Sequence, residues 1–517
     1  MIEIGSTNYC LLESWSIPLS IFGFLVSNQQ PMPKVIPCLM FIVLSLTPAF
    51  AQDPVNRIID EALKPSSLDT NLAHLTDQIG GRIPGTPAMK QAVQWGVDTF
   101  KDAGADSVHT EDFRIQASWA EGATEMNVVS PEKFKVRAIS IAWAPALSAH
   151  AMRIVDVGAG TAEAFAKAGD VSGAIVLVHS NEMKTWEDLF DDYGHASSAV
   201  KNAIANKALA VAFQSSRPHD LLYRHTNSAY GEIDRIPQVE LAREDAARIA
   251  RLLASGQKLQ ADLSIPNKIG GPITATNVIA EVKGSEKPDE YVVLGAHLDS
   301  WELGTGALDN GCNAALVVDS LRAIKAAGAR PKRSIRFILF SGEEEGLIGS
   351  REYVAAHRKE MDNVAGVVIY DSGIGKVTGF SLGGRKDIVA NATTLAVPPK
   401  QFGADTLTTD AFYGTDHMDF LLEGVPTLVA NQEEDNYLLN YHAMSDTFDK
   451  VDIARLKKHV AGAAAITFAI ADAPEKLGPR LNREQISQTL VETHLDDQMK
   501  GFSAWDDWAS GKRGREK

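Results

Sequence analysis

Residues 291–299 have the sequence Tyr-Val-Val-Leu-Gly-Ala-His-Leu-Asp, an apolar run that ends in a histidine and an aspartate. Further apolar runs of strand length follow at 335–340, 366–370 and 426–430, with helical patterns such as 314–327 between them. Strands that alternate with helices indicate an α/β fold, because the helices cover the faces of the sheet. We therefore predict an α/β domain in which helices flank a sheet.

Ionisable side chains stand where the first of these strands ends. His297 and Asp299 lie at its carboxyl end, the edge at which ligands bind in open α/β sheets. Neutral histidine is a good zinc ligand, and a nearby carboxylate can accept the proton on its other ring nitrogen. A structural His–Asp pair explains the same spacing, so this motif alone leaves both interpretations open.

Carboxylates also follow in the next two loops. Asp309 lies in a glycine-rich loop directly before a helix, where an ordinary turn or helix cap is the alternative to a metal ligand. The strand at 335–340 runs into Glu343, Glu344 and Glu345. Such crowding of like charge is costly unless a cation balances it, although a solvated acidic turn would also contain these residues.

Two more candidates complete the set. Asp371 ends the third strand, and His442 lies in a later loop. Acids and histidines at the ends of several strands of one α/β unit are hard to explain as independent accidents. One histidine and one carboxylate for each of two metal ions, with a shared aspartate between them, would suit two zinc ions.

These motifs together resemble a known family. They are His-x-Asp at 297–299, Leu-Asp-Asn-Gly-Cys-Asn at 308–313, Gly-Glu-Glu-Glu-Gly-Leu-Ile-Gly-Ser at 342–350, the strand-terminal aspartate, and Tyr-His at 441–442 followed by Asp-Thr-Phe-Asp-Lys-Val. The chain resembles the M28 family of zinc exopeptidases, and within it the carboxypeptidase Q group. The resemblance implies a mixed-sheet catalytic domain with an inserted, β-rich protease-associated domain.

The resemblance also implies a ligand set for two zinc ions per chain. His297 and Asp371 would bind one ion. Glu344 and His442 would bind the other, and Asp309 would bridge the two.

The remaining roles follow from the same resemblance. Glu343 would be the general base, and Asp299 would orient the first histidine ligand. We expect an exopeptidase that hydrolyses short peptides, dipeptides above all. An aminopeptidase for longer peptides, an amidohydrolase or glutaminyl cyclase of the same fold, and a non-catalytic binding protein are the alternatives. Homodimerisation is left open.

The N-terminal region predicts export. Met32 and Lys34 precede an apolar run at 35–47, and Ala-Phe-Ala at 49–51 has the small-x-small pattern of a cleavage site. The apolar run is shorter than the roughly 20 residues that span a bilayer, which disfavours a membrane anchor after cleavage. We therefore expect a secreted or periplasmic protein. Removal of the leader would take Cys10 and Cys38 and leave Cys312, predicted to be a small buried residue, as the one thiol.

The rest of the chain divides by composition. We predict an extension and signal peptide at 1–51, the start of the catalytic domain at 52–119, the inserted domain at 120–270, the main catalytic segment at 271–473 and a helical or partly disordered tail at 474–517. The net charge of −16 disfavours a nucleic-acid partner. Asp416 and His417 form either a buried structural pair or, by the same resemblance, part of a loop near the substrate. His225 is given no role.

Overall fold

The computed structural model describes residues 53–516. Predictions about the leader, its cleavage site, Cys10 and Cys38 concern residues outside this range. The strands, in chain order, are β1 Ser107–Ile115, β2 Trp119–Ala120, β3 Glu125–Ser130, β4 Phe134–Val136, β5 Ala138–Ser140, β6 Leu147–Asp156, β7 Ile175–Val178, β8 Ala210–Gln214, β9 Gln238–Leu241, β10 Gln260–Ile265, β11 Lys268–Ile269, β12 Ile273–Val282, β13 Lys287–His297, β14 Arg333–Phe340, β15 Val364–Ile369, β16 Val377–Ser381, β17 Thr406–Thr408 and β18 Thr427–Gln432. The α-helices are α1 Pro54–Leu63, α2 Leu68–Ala73, α3 Pro87–Asp102, α4 Ala162–Ala168, α5 Trp186–Ala205, α6 Arg243–Ala254, α7 Cys312–Ala326, α8 Ile348–Ala356, α9 Val389–Leu395, α10 Met418–Leu422, α11 Tyr437–Asn440, α12 Ile453–Asp472, α13 Arg483–Glu492, α14 Leu495–Gly501 and α15 Trp505–Ser510.

A mixed sheet of eight strands forms the larger part of the molecule, in the order β1-β12-β14-β13-β15-β18-β16-β17. Its centre is parallel, because β13 pairs in parallel with both β14 and β15, and β15 with β18. The pairs β1–β12, β12–β14 and β16–β18 are antiparallel. The predicted strands at 291–296, 335–340, 366–370 and 426–430 correspond to β13, β14, β15 and β18. The prediction of a mixed α/β fold is confirmed.

Both faces of the central strand are buried, as its continuous apolar sequence requires. Val292, Leu294 and Ala296 share an apolar core with α1, α7 and α12. Tyr291 and Val293 point to the opposite face and pack with residues of α8 and α10. The alternation follows from the two-residue period of a strand. Truncation of the fully buried Leu294 to alanine would cost about 2–5 kcal/mol. This packing therefore fixes the end of the strand that carries His297.

A second sheet of eight strands lies within residues 125–265, in the order β4-β3-β10-β6-β7-β8-β9-β5. It has its own apolar cores, one of which packs α6 against the sheet. This sheet falls inside the predicted inserted segment 120–270, and its assignment as a protease-associated domain stays a prediction. Helix α5 of this region was not predicted. It begins with a capping box, in which Thr185 and Asp188 each bond the other's backbone N–H.

The last segment of the chain is helical. Helices α13 to α15 pack with α10 around a shared apolar core. None of the helices in residues 53–516 is long and apolar enough to cross a membrane.

Candidate metal centre

The candidate ligands meet at one edge of the larger sheet because three neighbouring strands end there in parallel. His297 is the last residue of β13 and pairs in register with Phe340, the last residue of β14. The glutamate cluster follows β14, and Asp371 follows β15. Since β13 lies between β14 and β15, the loops after all three strands converge on the histidine.

The first group of candidate ligands surrounds His297. Its Nε2 atom lies 3.1 Å from Asp309 Oδ1 and 3.1 Å from Asp371 Oδ1. Its Nδ1 atom lies 3.0 Å from the backbone oxygen of Asp299. With the proton on Nδ1 donated to that carbonyl, Nε2 has a free lone pair for a metal ion.

Asp299 therefore contacts the imidazole through its main chain. Its carboxylate lies 3.8 Å from His297 Nδ1, and Oδ2 accepts a hydrogen bond of 3.2 Å from the backbone N–H of Glu344. The side chain thus fixes the position of the glutamate loop, while its carbonyl fixes the histidine ring.

The second group surrounds His442. Its Nε2 atom lies 2.9 Å from Glu344 Oε2 and 3.3 Å from Asp309 Oδ2. Asp309 belongs to both groups, since one carboxylate oxygen faces each histidine. In each group the possible ligand atoms all lie within 4.8 Å of one another, a spacing at which they could hold one ion. The structure thus brings together all five predicted ligands.

Burial of this many acids perturbs their ionisation. Burial raises the pKa of Glu344 to about 7, against the opposing effect of His442. Burial would also raise the pKa of Asp309, but hydrogen bonds with the two histidines hold it below its ordinary value. Burial opposes protonation of His442, yet Glu344 and Asp309 raise its pKa to about 9. The site favours positive charge between its carboxylates.

That charge balance, together with one orphaned oxygen, fits a metal ion. Glu344 Oε1 is buried and has no hydrogen-bond partner among residues 53–516. A buried carboxylate oxygen without a donor is costly unless a cation satisfies it. The donor set, two imidazole nitrogens and carboxylate oxygens, suits zinc.

Glu343 lies in the same loop and belongs to neither group of possible ligands. It lines the cavity over the site. Burial raises its pKa well above the ordinary range of a glutamate, and the nearby acids Asp371 and Glu344 raise it further.

Two residues that support the site were not assigned a role from the sequence. Asp446 accepts hydrogen bonds from the backbone N–H groups of three successive residues, at distances of 3.1, 2.6 and 3.1 Å: Ala307, Leu308 and Asp309. Arg82 is fully buried and donates to carbonyl oxygens on both sides of the loop after β13, those of Leu298, Thr305 and Gly306. The partners lie far apart in sequence, so no local pattern could have identified them.

A cavity of about 500 Å³ opens over the two groups. Its walls come from the loops of the larger sheet, from α5 and the loop around His225, and from the C-terminal segment. His225 stacks on Tyr193 with 4.0 Å between ring centroids and lies 5.8 Å from the ring of His442. The second sheet's region thus covers the site.

The remaining candidates lie deeper in the fold. Asp416 and His417 are buried next to Thr415, which lines the cavity. Burial raises the pKa of Asp416 to about 8 and lowers that of His417 to about 4. Cys312 is fully buried, as predicted, at the start of α7.

Comparisons with known proteins agree with this geometry. Residues 277–467 match the model of peptidase family M28, and this range contains both candidate ligand groups and Glu343. Carboxypeptidase Q of Xenopus laevis is 26% identical over 82% of this chain and 91% of its own length. A solved structure of a peptidase M28 precursor from Shewanella amazonensis has a TM-score of 0.74 at 26% identity, covering 83% of this chain and 98% of that one. A zinc aminopeptidase from Bacillus subtilis shares the fold, with a TM-score of 0.62 at 21% identity over 82% of this chain and 98% of that one.

Proposed function

We propose that this chain, a metallopeptidase with a domain of family M28, is an exported exopeptidase that uses two zinc ions to hydrolyse short peptides. One observation carries the proposal. Asp309 directs one oxygen to a group with His297 and Asp371 and the other to a group with His442 and Glu344. A carboxylate shared by two buried sets of nitrogen and oxygen ligands is an arrangement that suits two adjacent cations.

Each residue of the two groups then has one role. His297 and Asp371 hold one ion, His442 and Glu344 hold the other, and Asp309 bridges them. Bound zinc supplies Lewis acidity, which makes a water molecule easier to deprotonate and a peptide carbonyl easier to attack. A zinc aminopeptidase of the same fold supports the choice of metal.

Glu343 is the general base in this proposal. It faces the cavity, lies beside a ligand and is not needed as a ligand itself. A carboxylate at this position can take a proton from the attacking water and return it to the leaving amine nitrogen. Asp299 positions this loop, because its carboxylate accepts the backbone N–H of Glu344.

The charge of the cavity favours recognition of the amino terminus. No lysine or arginine is among the residues that line it within the described chain. Besides the ligands and Glu343, the acids Glu345 and Asp410 line the cavity, and both Glu345 carboxylate oxygens are buried without a hydrogen-bond partner among residues 53–516. Among the described residues, the lining side chains thus offer carboxylates to a free ammonium group but no lysine or arginine to a free carboxylate, which only the zinc ions would attract. We therefore favour aminopeptidase or dipeptidase activity over carboxypeptidase activity.

The test is a panel of free dipeptides, N-blocked dipeptides and C-amidated dipeptides, assayed with and without a chelator. We expect hydrolysis of the free and amidated substrates, loss of activity on the blocked ones, and restoration by zinc after chelation. Activity that survives complete zinc removal would overturn the zinc mechanism. Cleavage of blocked but not amidated substrates would instead make the enzyme a carboxypeptidase. Export is tested separately, by N-terminal sequencing of the protein recovered from outside the cytoplasm, which should begin at Gln52.

A further inference from the structure

The C-terminal segment, here residues 474–516, contributes a residue to the cavity over the metal centre. It lies beyond the 277–467 range that matches the peptidase family. Phe502, directly after α14, is half-buried and lines the cavity. The segment therefore has a place at the site in addition to its place in the fold.

Two tyrosines of the cavity wall hold the Phe502 ring. The ring stacks on Tyr413, with centroids 4.9 Å apart and planes 17° apart. It meets Tyr193 of α5 edge to face, with centroids 6.2 Å apart. Both tyrosines line the cavity, one from the loop before α10 and the other from the region of the second sheet. Phe502 thus joins the two sides of the cavity into one aromatic wall.

The segment is fixed to α10 and to the loop before it, which carries Tyr413. Arg513 and Asp419 are both buried and form a two-fold ion pair with distances of 2.7 and 2.6 Å. Gln498 accepts a hydrogen bond of 2.8 Å from the backbone N–H of Tyr413. A bidentate buried pair restricts orientation strongly, so the position of Phe502 is determined by the fold.

Phe502 has no ring contact with a candidate metal ligand among residues 53–516. Ring contacts connect it to Tyr193, then to His225, and only then to His442. The wall around it is apolar and aromatic, with Trp186 and Leu189 of α5 also lining the cavity. A ring in this wall is open to a substrate side chain when the scissile bond lies over the metal centre.

We propose that Phe502 is a specificity-determining residue whose ring packs against an apolar side chain of the bound peptide, a role that rests on the proposed function above. The favoured substrates are short peptides with a large apolar residue next to the cleaved bond. Because the contact is made equally in the ground and transition states, its loss raises KM and leaves kcat nearly unchanged.

The test compares Phe502→Ala, Phe502→Leu and the wild type on the zinc-loaded full chain. The substrates are Ala-Ala and the dipeptides in which leucine or phenylalanine replaces either alanine. Val491→Ala is the matched control, because Val491 is an apolar residue of the same segment with 59% of its surface exposed. Thermal unfolding of each variant shows whether it is folded.

Phe502→Ala should lower kcat/KM for the leucine and phenylalanine substrates about tenfold at one of the two positions, through KM. Ala-Ala hydrolysis should change less than about twofold, and Val491→Ala should match the wild type. If Phe502→Ala does not fold, Phe502→Leu decides, with an expected loss of about threefold on phenylalanine substrates alone. Equal losses on all substrates, or none, would overturn the proposal. Failure of the proposed function would appear differently, as a wild type without zinc-dependent activity on any dipeptide.

Discussion

Replacing Asp446 by asparagine tests whether its carboxylate positions the loop before α7 and, with it, Asp309, the proposed bridging residue. The carboxylate accepts three backbone N–H groups, two through Oδ1 and one, that of Asp309, through Oδ2. Asparagine keeps one acceptor oxygen and places an NH₂ group against the Asp309 N–H. One charge-assisted hydrogen bond is therefore lost and a buried donor is left unsatisfied, at a cost of about 1.5–3 kcal/mol.

The same change should weaken metal binding, because partners that orient a ligand typically contribute about 10- to 100-fold to metal affinity. Urea unfolding of the metal-free protein measures the first effect, and competition with a fluorescent zinc chelator measures the second. Asp449→Asn is the matched control, since Asp449 lies three residues after Asp446 and its side chain is 70% exposed. That variant should stay within about 0.5 kcal/mol of the wild type. If Asp446→Asn and Asp449→Asn have equal zinc affinity, Asp446 does not position the bridge.

Further predictions concern the proposed general base Glu343, the buried His459 and the N-terminal cap of α5. Glu343→Gln should reduce kcat by about 100- to 10,000-fold with little change in zinc content. If Glu343→Gln instead loses zinc and Glu344→Gln retains it, the roles of the two glutamates are the reverse of those proposed. His459 is buried in α12, where burial lowers its pKa to about 4. Because the unfolded chain then binds the proton more tightly, stability should fall as the pH drops from 6.5 to 4, by about 3 kcal/mol at the lower end. Urea unfolding at both pH values should show this fall in the wild type and a smaller one in His459→Leu. Thr185→Ala removes the cap of α5 and should lower stability by about 1 kcal/mol, measured by thermal unfolding, while Ser510→Ala, at an exposed position, should not.

Much of the larger sheet could be predicted because its central strands are buried on both faces. Such strands appear in the sequence as continuous apolar runs, and every candidate ligand except His442 lies at the end of one of them or in the glycine-rich loop that follows the first. The predicted resemblance to M28 metallopeptidases is confirmed by the match of residues 277–467 to the family model and by the similarity to carboxypeptidase Q of Xenopus laevis. The metal roles of the individual residues stay predictions.

The supporting contacts could not be predicted from the sequence. The position of Asp446 under the Asp309 loop, and of Arg82 between the loop's carbonyls, depends on chain segments more than 100 residues apart. Helix α5 contains Gly194, and its apolar and polar residues do not follow a clear helical period. Neither its length nor its position over the cavity could therefore be predicted. The C-terminal segment shows little hydrophobic periodicity in its sequence. Its position is fixed instead by an ion pair and an apolar core that it shares with α10, and neither can be read from a local pattern.

The central claim is that Asp309 bridges two zinc ions. Anomalous diffraction at the zinc absorption edge, from crystals of the zinc-loaded wild-type protein, tests it most directly. We expect two strong peaks on either side of the Asp309 carboxylate, one in contact with His297 and Asp371 and the other with Glu344 and His442. A single peak, or peaks that do not contact Asp309, would contradict the claim.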